Sequence, residues 1–238
     1  RQSRAILGCM LALFIIGGAT AMWAEYQPNP ALNNPAVEQA APQEGKEARF
    51  GTTGTVLWSV ATTAASNGSV NGMQDSLNPL SGMVSLVNMM VGEVIFGGVG
   101  AGMYGMLLNV LIAVFLAGLM IGRTPEYLGK KLQAREVQLL VVTLLVMPVG
   151  TLVLGAIAAS LPGPAGAISN PGPHGFSQLL YAYTSASANN GSAFGGFSAN
   201  TAFHNLMLSL SMLLGRFGYI LPVLALAGSL AMKKTAPI

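Results

Sequence analysis

Charge is what this chain most lacks. Only 8% of its 238 residues are Asp, Glu, Lys or Arg, against about 25% in an average soluble domain. A water-solvated surface cannot be assembled from so few charges, and at 52% hydrophobic residues the composition is that of a membrane protein. A single cysteine, Cys9, excludes an internal disulfide framework. The two histidines, His174 and His204, are isolated and form no metal or catalytic set. No Ser-His-Asp, paired-carboxylate or Walker-type arrangement occurs, so the chain has no visible means of hydrolysing ATP. The net charge of +3 does not point to nucleic acid, because the basic residues sit beside apolar spans and not on one face. Gly100 to Gly105 fits G-x-G-x-x-G with Glu126 downstream, yet the helix between them is uncharged and of membrane length, which argues against a dinucleotide site.

What is present is a set of uncharged runs: Ala5 to Ala24, Val94 to Gly122, Val137 to Gly215 and Phe217 to Met232. A span needs roughly 20 apolar residues to cross a core of about 30 Å. "RQSR" followed by "AILGCMLALFIIGG" and "ATA" has the form of a signal peptide. The chain does not begin with Met, however, and Ala5 to Ala24 reads as a transmembrane helix within a longer protein. Arg1 and Arg4, then Arg123, Lys130, Lys131 and Arg135, then Lys233 and Lys234 mark three points expected on the cytoplasmic side. The Pro- and Gly-punctuated loops 25–50 and 160–175 then face outward.

Two stretches repeat. "SNGS" at Ser66 to Ser69 and "NNGS" at Asn189 to Ser192 align without gaps over about forty residues, pairing Leu57 with Leu180, Ala65 with Ala188, Gly72 with Gly195 and Gly92 with Gly215. The same alignment sets Glu93 against Arg216. An ionised residue at the bilayer centre costs about 2.5–3.5 kcal/mol even on a lenient scale, so both belong in the protein interior or a wet cavity. A snorkelling or structural charge is the other reading of Arg216. Ahead of each motif lies a run too short to cross, Thr53 to Ala65 and Phe176 to Ala188, about 20 Å as helix. These read as re-entrant helices, whose irregular continuations are tolerated at membrane depth only in protein or against water.

The expected fold is therefore an all-α membrane protein of repeated helix–pore loop–helix units, with re-entrant pore helices and broken return helices. The first unit, 1–123, comprises a span at 5–24, an outer loop at 25–50, a pore loop at 53–72 and a broken helix at 79–122 interrupted at "FGGVGAGMYG". A cytoplasmic linker helix follows at 124–137, with Thr124 as N-cap and Pro125 at its first position; it is an ordinary positive-inside connection or a docking surface. The second unit, 138–238, comprises a span at 138–159, an outer loop at 160–175, a pore loop at 176–196 and a helix at 201–232 interrupted around "GRFGY" and Pro222.

Asn67-Gly68-Ser69 and Asn190-Gly191-Ser192 both match the N-glycosylation pattern, so sequons or plain turns are one reading. The other is a selectivity filter, in which glycine lets successive carbonyls replace a cation's hydration shell. The short helix aims its partly negative C-terminal end at the same place.

"TTAASNGSVN", "GEVIFGGVGAGMYGMLLNVLIAVFLAGLMIGRTPEYLGKK" and "ANNGSAFGGFSANT" resemble the third and fourth repeats of KdpA, the potassium-binding subunit of the bacterial Kdp potassium-transporting ATPase. The resemblance covers nearly the whole chain and implies a member of the superfamily of potassium transporters, with four repeats around one filter. By that resemblance Ser66, Asn67, Gly68 and Ser69 form the third filter strand, and Asn189, Asn190, Gly191 and Ser192 the fourth. Arg216 matches the positive residue below the filter, and Glu93 lies in the third repeat's broken helix, where gating or the ion path is expected. Two repeats are absent on the N-terminal side, so the chain reads as a C-terminal part of the whole. The implied function is potassium binding and translocation in the bacterial inner membrane, as the multi-pass subunit of an ATP-driven uptake complex. Potassium is the transported ion and no organic cofactor is implied. The implied partners are a P-type ATPase catalytic subunit, accessory Kdp subunits, membrane lipid and the missing repeats. A Trk/Ktr-type channel or symporter subunit is the first rival, and a structural membrane scaffold packed through its glycines the second.

Overall fold

The computed structural model describes residues 2–29, 45–46, 49–98, 102–170 and 172–235. Most of the loop at 25–50 and part of the glycine run at 96–105 lie outside the described residues.

Where a chain has no water to satisfy its backbone, helix is the local solution. Helix α1 covers Gln2–Glu25, α2 Gly51–Ala64, α3 Pro79–Met90 and α4 Gly102–Ile121. A two-stranded hairpin, β1 Glu126–Tyr127 and β2 Lys130–Lys131, leads to α5 at Ala134–Pro148. That helix runs through a π-helical turn at Val149–Val153 into α6 at Leu154–Ser160. Short α7 at Pro162–Ala165 precedes α8 at Pro173–Ala188. Helix α9, Ala202–Leu213, passes through a second π turn at Leu214–Gly218 into α10, Tyr219–Met232. Four of these helical stretches, Ser3–Glu25, Gly102–Ile121, Ala134–Ser160 and Ala202–Met232, are long and apolar enough to cross a membrane. Their outward side chains are correspondingly bare: Met120 is 88% exposed and Ile121 70%.

The short helix α2 packs against α1 and α3, and α8 against α3, α5, α6 and α9. Helix α2 buries Thr55, Ser59, Thr62 and Thr63 beside Val56 and Val60, and α8 is buried almost throughout from Gln178 to Ala188. Ala21, Val56, Val60, Leu77 and Val84 join α1, α2 and α3 in one apolar cluster, while Leu108, Leu111, Leu132, Leu140 and Leu226 join α4, α5 and α10 in another. A further apolar contact between the two units is made by Met89, Tyr181 and Phe194.

Three expectations change. Most of the segment 124–137 is a hairpin and not a helix, because Leu128 and Gly129 both take left-handed backbone angles, φ 50° and 73°. That pair of angles makes the two-residue turn whose twist suits a hairpin. The helix start moves to Gln133, whose N–H donates to Glu136 Oε2 at 2.9 Å. The first return helix does break, but from Val91, so that Gly102 to Gly105 already belong to α4. The second does not break: Ala202–Met232 is one helix that widens into a π turn around Arg216. Gly215 there packs so closely on the end of α8 that a Cβ would collide with the Ser187 carbonyl and stand 2.8 Å from Asn189 Nδ2. The Asn189 amide in turn donates to the Met212 carbonyl at 3.3 Å. A carbonyl given up by a π turn thus finds a side-chain donor. On the opposite flank Gly150, in the other π turn, packs against the same Ser187.

At one end of the molecule Lys130 Nζ caps the C-terminus of α10 through the carbonyls of Leu230 at 2.5 Å and Lys233 at 3.1 Å, as cations near that end of a helix should. Lys233 pairs with Glu136 at 2.5 Å. Two of the three basic points thus come together. At the end of α1, Glu25 and Lys46 form a fully buried ion pair at 2.6 Å, with the Asn78 N–H on the other carboxylate oxygen at 3.0 Å.

Candidate functional site

The two Asn-Gly-Ser loops close on each other. Each begins where its short helix ends in a left-handed residue, Ser66 at φ 51° and Asn189 at φ 61°, which occupy equivalent positions of the repeat. Each helix end is sealed the same way, by the Asn67 N–H on the Thr62 carbonyl at 3.1 Å and the Asn190 N–H on the Ser185 carbonyl at 3.0 Å. That is the hydrogen bond of a Schellman end. The asparagine side chain then turns onto its own loop. Asn67 Oδ1 accepts from the Ser69 N–H at 3.1 Å and from the Ser69 hydroxyl; Asn190 Oδ1 accepts from the Ser192 N–H at 3.0 Å and its hydroxyl at 2.5 Å.

The carbonyls are treated differently. Among the described residues no donor reaches the backbone oxygens of Asn67, Gly68, Asn190 or Gly191. Of these four residues Asn190 is buried and Gly68 half-buried, while Asn67 and Gly191 are exposed, so the oxygens stay open to a partner from outside the fold. Gly68, at φ 81°, lies so close to the second loop that a Cβ there would overlap the Asn190 carbonyl oxygen. Gly191, at φ 99°, faces open space, so its backbone angle and not crowding calls for glycine.

Glu93 and Arg216 occupy different places under the loops. Glu93 is fully buried in the break after α3, at φ 52°, and its Oε1 accepts from Asn190 Nδ2 at 2.5 Å. The same amide donates to the Thr62 carbonyl at 3.1 Å, so Asn190 ties the second loop to both the break and the short helix of the first unit. Glu93 Oε2 is buried with no hydrogen-bond partner among the described residues. Arg216 is half-buried and lines a small cavity with Gly92, Ser187, Asn189 and Tyr219, at the C-terminal end of α8. The ion pairs among the described residues do not join it to Glu93.

Sequence reasoning missed the residues behind the loops. Trp58 Nε1 donates to the Ser69 carbonyl and hydroxyl, both at 3.1 Å. Tyr181 donates to Gln74 Oε1 at 2.7 Å and lies 3.0 Å from the Ser192 hydroxyl. Asp75 receives the Gln178 amide at 2.7 Å, the Asn170 amide at 3.3 Å and His174 Nε2 at 3.0 Å. Its carboxylate borders a cleft of about 710 Å³ between the units. The available signal was the alignment itself, which sets Trp58 against Tyr181.

Four membrane-length helices, with two short ones that end in facing Asn-Gly-Ser loops, define an all-α membrane protein. The family profile for the potassium-transporting ATPase A subunit, KdpA, matches residues 1–238, and the chain belongs to that family. It is 94% identical over its whole length to the potassium-transporting ATPase potassium-binding subunit of Pseudomonas fluorescens strain SBW25. The proteins of the same name are 88% identical in Pseudomonas syringae pv. tomato and 58% identical in Rhodospirillum centenum. In each case all of this chain aligns to 42% of the relative, so it spans about two fifths of the length of the curated relatives it matches.

Proposed function

We propose that this chain supplies two strands of a potassium selectivity filter, Ser66 to Ser69 and Asn189 to Ser192. The full-length subunit would be a multi-pass protein of the bacterial inner membrane, translocating potassium within an ATP-driven uptake complex. The other strands come from repeats elsewhere in the full-length chain, and ATP chemistry comes from a separate P-type subunit with its accessory Kdp subunits. The observation that carries this reading is the pair of facing loops in which the backbone oxygens of Asn67, Gly68, Asn190 and Gly191 accept no hydrogen bond among the described residues, while the asparagine and serine N–H groups are taken up within each unit. Such oxygens suit a dehydrated monovalent cation, whose hydration shell they replace. The C-terminal ends of α2 and α8 add partial negative charge at the same place.

Arg216, at the end of α8, opposes potassium on the far side of the loops and so blocks straight-through leakage. Glu93, joined to the second loop through Asn190, marks the side on which the ion path bends. Arg216→Ala in the full-length protein is expected to raise passive potassium leak, read as flux into vesicles without ATP; an unchanged leak removes this role.

The test of the filter is Gly191→Ser in the full-length subunit within its assembled complex, with uptake or ATPase activity followed across potassium and rubidium concentrations. Weaker potassium dependence or relaxed discrimination at normal assembly is expected. Unchanged ion dependence returns the loop to a plain turn.

A further inference from the structure

Each loop serine is held from behind by an aromatic residue of the short helix that leads into it. In the first unit Trp58 donates to Ser69, and in the second the Tyr181 hydroxyl meets Ser192. In both units the aromatic residue stands 11 positions before its serine, and the two pairs coincide in the internal repeat.

We propose that Trp58 and Tyr181 are matched positioning residues, which fix each loop by its serine and so set where its carbonyls stand for the ion. This rests on the filter reading above. Proton accounting gives the second pair its direction. The Tyr181 proton goes to Gln74 Oε1 at 2.7 Å, so on the loop side Tyr181 Oη is an acceptor. The one Ser192 hydroxyl proton therefore lies between Asn190 Oδ1 at 2.5 Å and Tyr181 Oη at 3.0 Å. Gln74 continues the chain, donating to Ser59 Oγ at 3.1 Å, and Ser59 meets Ser85 Oγ at 2.8 Å. A connected set of hydrogen bonds thus runs from the second loop through Tyr181 into α2 and α3 of the first unit. The Trp58 pair ends at its own loop, with a half-exposed ring.

Tyr181 also stacks on Phe194, with ring centroids 4.2 Å apart, so a plain core role is the competing explanation. The molecule contains the control. Tyr183 lies in the same helix, is equally buried, and bonds through its hydroxyl to His204 Nδ1 at 3.1 Å, with no hydrogen bond to either loop among the described residues.

The experiment compares Tyr181→Phe, Trp58→Phe, Tyr183→Phe and Gly191→Ser in the full-length subunit within its complex. Assembly, Tm and the potassium and rubidium dependence of activity are measured for each. Tyr181→Phe keeps the ring and is expected to raise half-saturating potassium roughly two- to tenfold, as loss of one hydrogen bond implies, or to narrow the preference over rubidium. Trp58→Phe is expected to act in the same direction and less. Tyr183→Phe should lower Tm comparably and leave ion dependence as it was. If Gly191→Ser alters ion dependence and Tyr181→Phe does not, the inference is overturned and the filter stands. If Tyr181→Phe and Tyr183→Phe alter it equally, the effect is general packing and the inference is also overturned. If Gly191→Ser changes nothing, the filter reading falls and takes this inference with it. Should Tyr181→Phe not assemble, Trp58→Phe decides alone, and unchanged ion dependence there overturns the pairing.

Discussion

The first Asn-Gly-Ser loop leaves Asn67 and Ser69 exposed, whereas the second buries Asn190 at 7% and Ser192 at 5% exposure. They nevertheless share the Schellman end and the asparagine carbonyl that takes two bonds from serine, while the second loop adds a bond from the Gly191 N–H to the Ser185 hydroxyl. The local form of each loop therefore comes from its own few residues, through a left-handed helix end and an Asx turn. Its setting comes from elsewhere. Asn190 reaches Thr62 and Glu93 in the other unit, while among the described residues Asn67 bonds only within its own loop and helix. The same division holds for the return helices, one broken at Val91 and Gly92, the other continuous through a π turn.

That asymmetry can be broken experimentally, and the largest effect is expected where the first unit has a device the second lacks. Glu25 and Lys46 are buried as a pair, and the second unit, uncharged from Val137 to Gly215, has no residues for a counterpart at its own outer loop. Lys46→Met leaves a buried carboxylate unpaired and should cost about 3–5 kcal/mol, read as a large drop in Tm. No change in Tm would contradict the buried pair. Next comes the glycine of each loop. Gly191→Ala meets open space and should cost only backbone strain, about 1–2 kcal/mol. Gly68→Ala adds collision with the Asn190 carbonyl, so its loss of potassium affinity should exceed that of Gly191→Ala; the reverse order would undo the close approach of the loops. Then Asn190→Ala should weaken potassium dependence more than Asn67→Ala, by about 1–3 kcal/mol, because it strips Glu93 of its amide donor. Equal effects would make the link between units irrelevant. The smallest effect is expected from Gly129→Ala in the hairpin, where φ is 73°. It should lower Tm by an amount near 1 kcal/mol of strain and leave ion dependence alone, separating strain in general from strain in the loops.

Much of this was legible in the residues. Charge-free runs and their basic flanks located the membrane-length helices, and the gapless repeat located both loops and the short helices before them. What escaped has a common physical cause. Thr124 and Pro125 carry a good helix-start signal, but the Leu128-Gly129 turn overrides it, and nothing in leucine announces a left-handed angle. The "GRFG" run reads as a breaker because glycines weaken helices, yet Gly215 serves close packing on Ser187 inside a continuous one. Tyr181 and Gln74 meet across 107 positions, a distance no local pattern spans.

One consequence of the second loop's bonding concerns the sign of charge. The N–H groups of Asn189, Asn190, Gly191 and Ser192 donate in turn to the Ala186 carbonyl, the Ser185 carbonyl, the Ser185 hydroxyl and Asn190 Oδ1. A chloride ion arriving at that backbone would meet oxygen lone pairs and no available amide proton. On the proposed filter reading, anions would be turned away by hydrogen bonds made within Ser185 to Ser192, before ionic radius has any part in the choice.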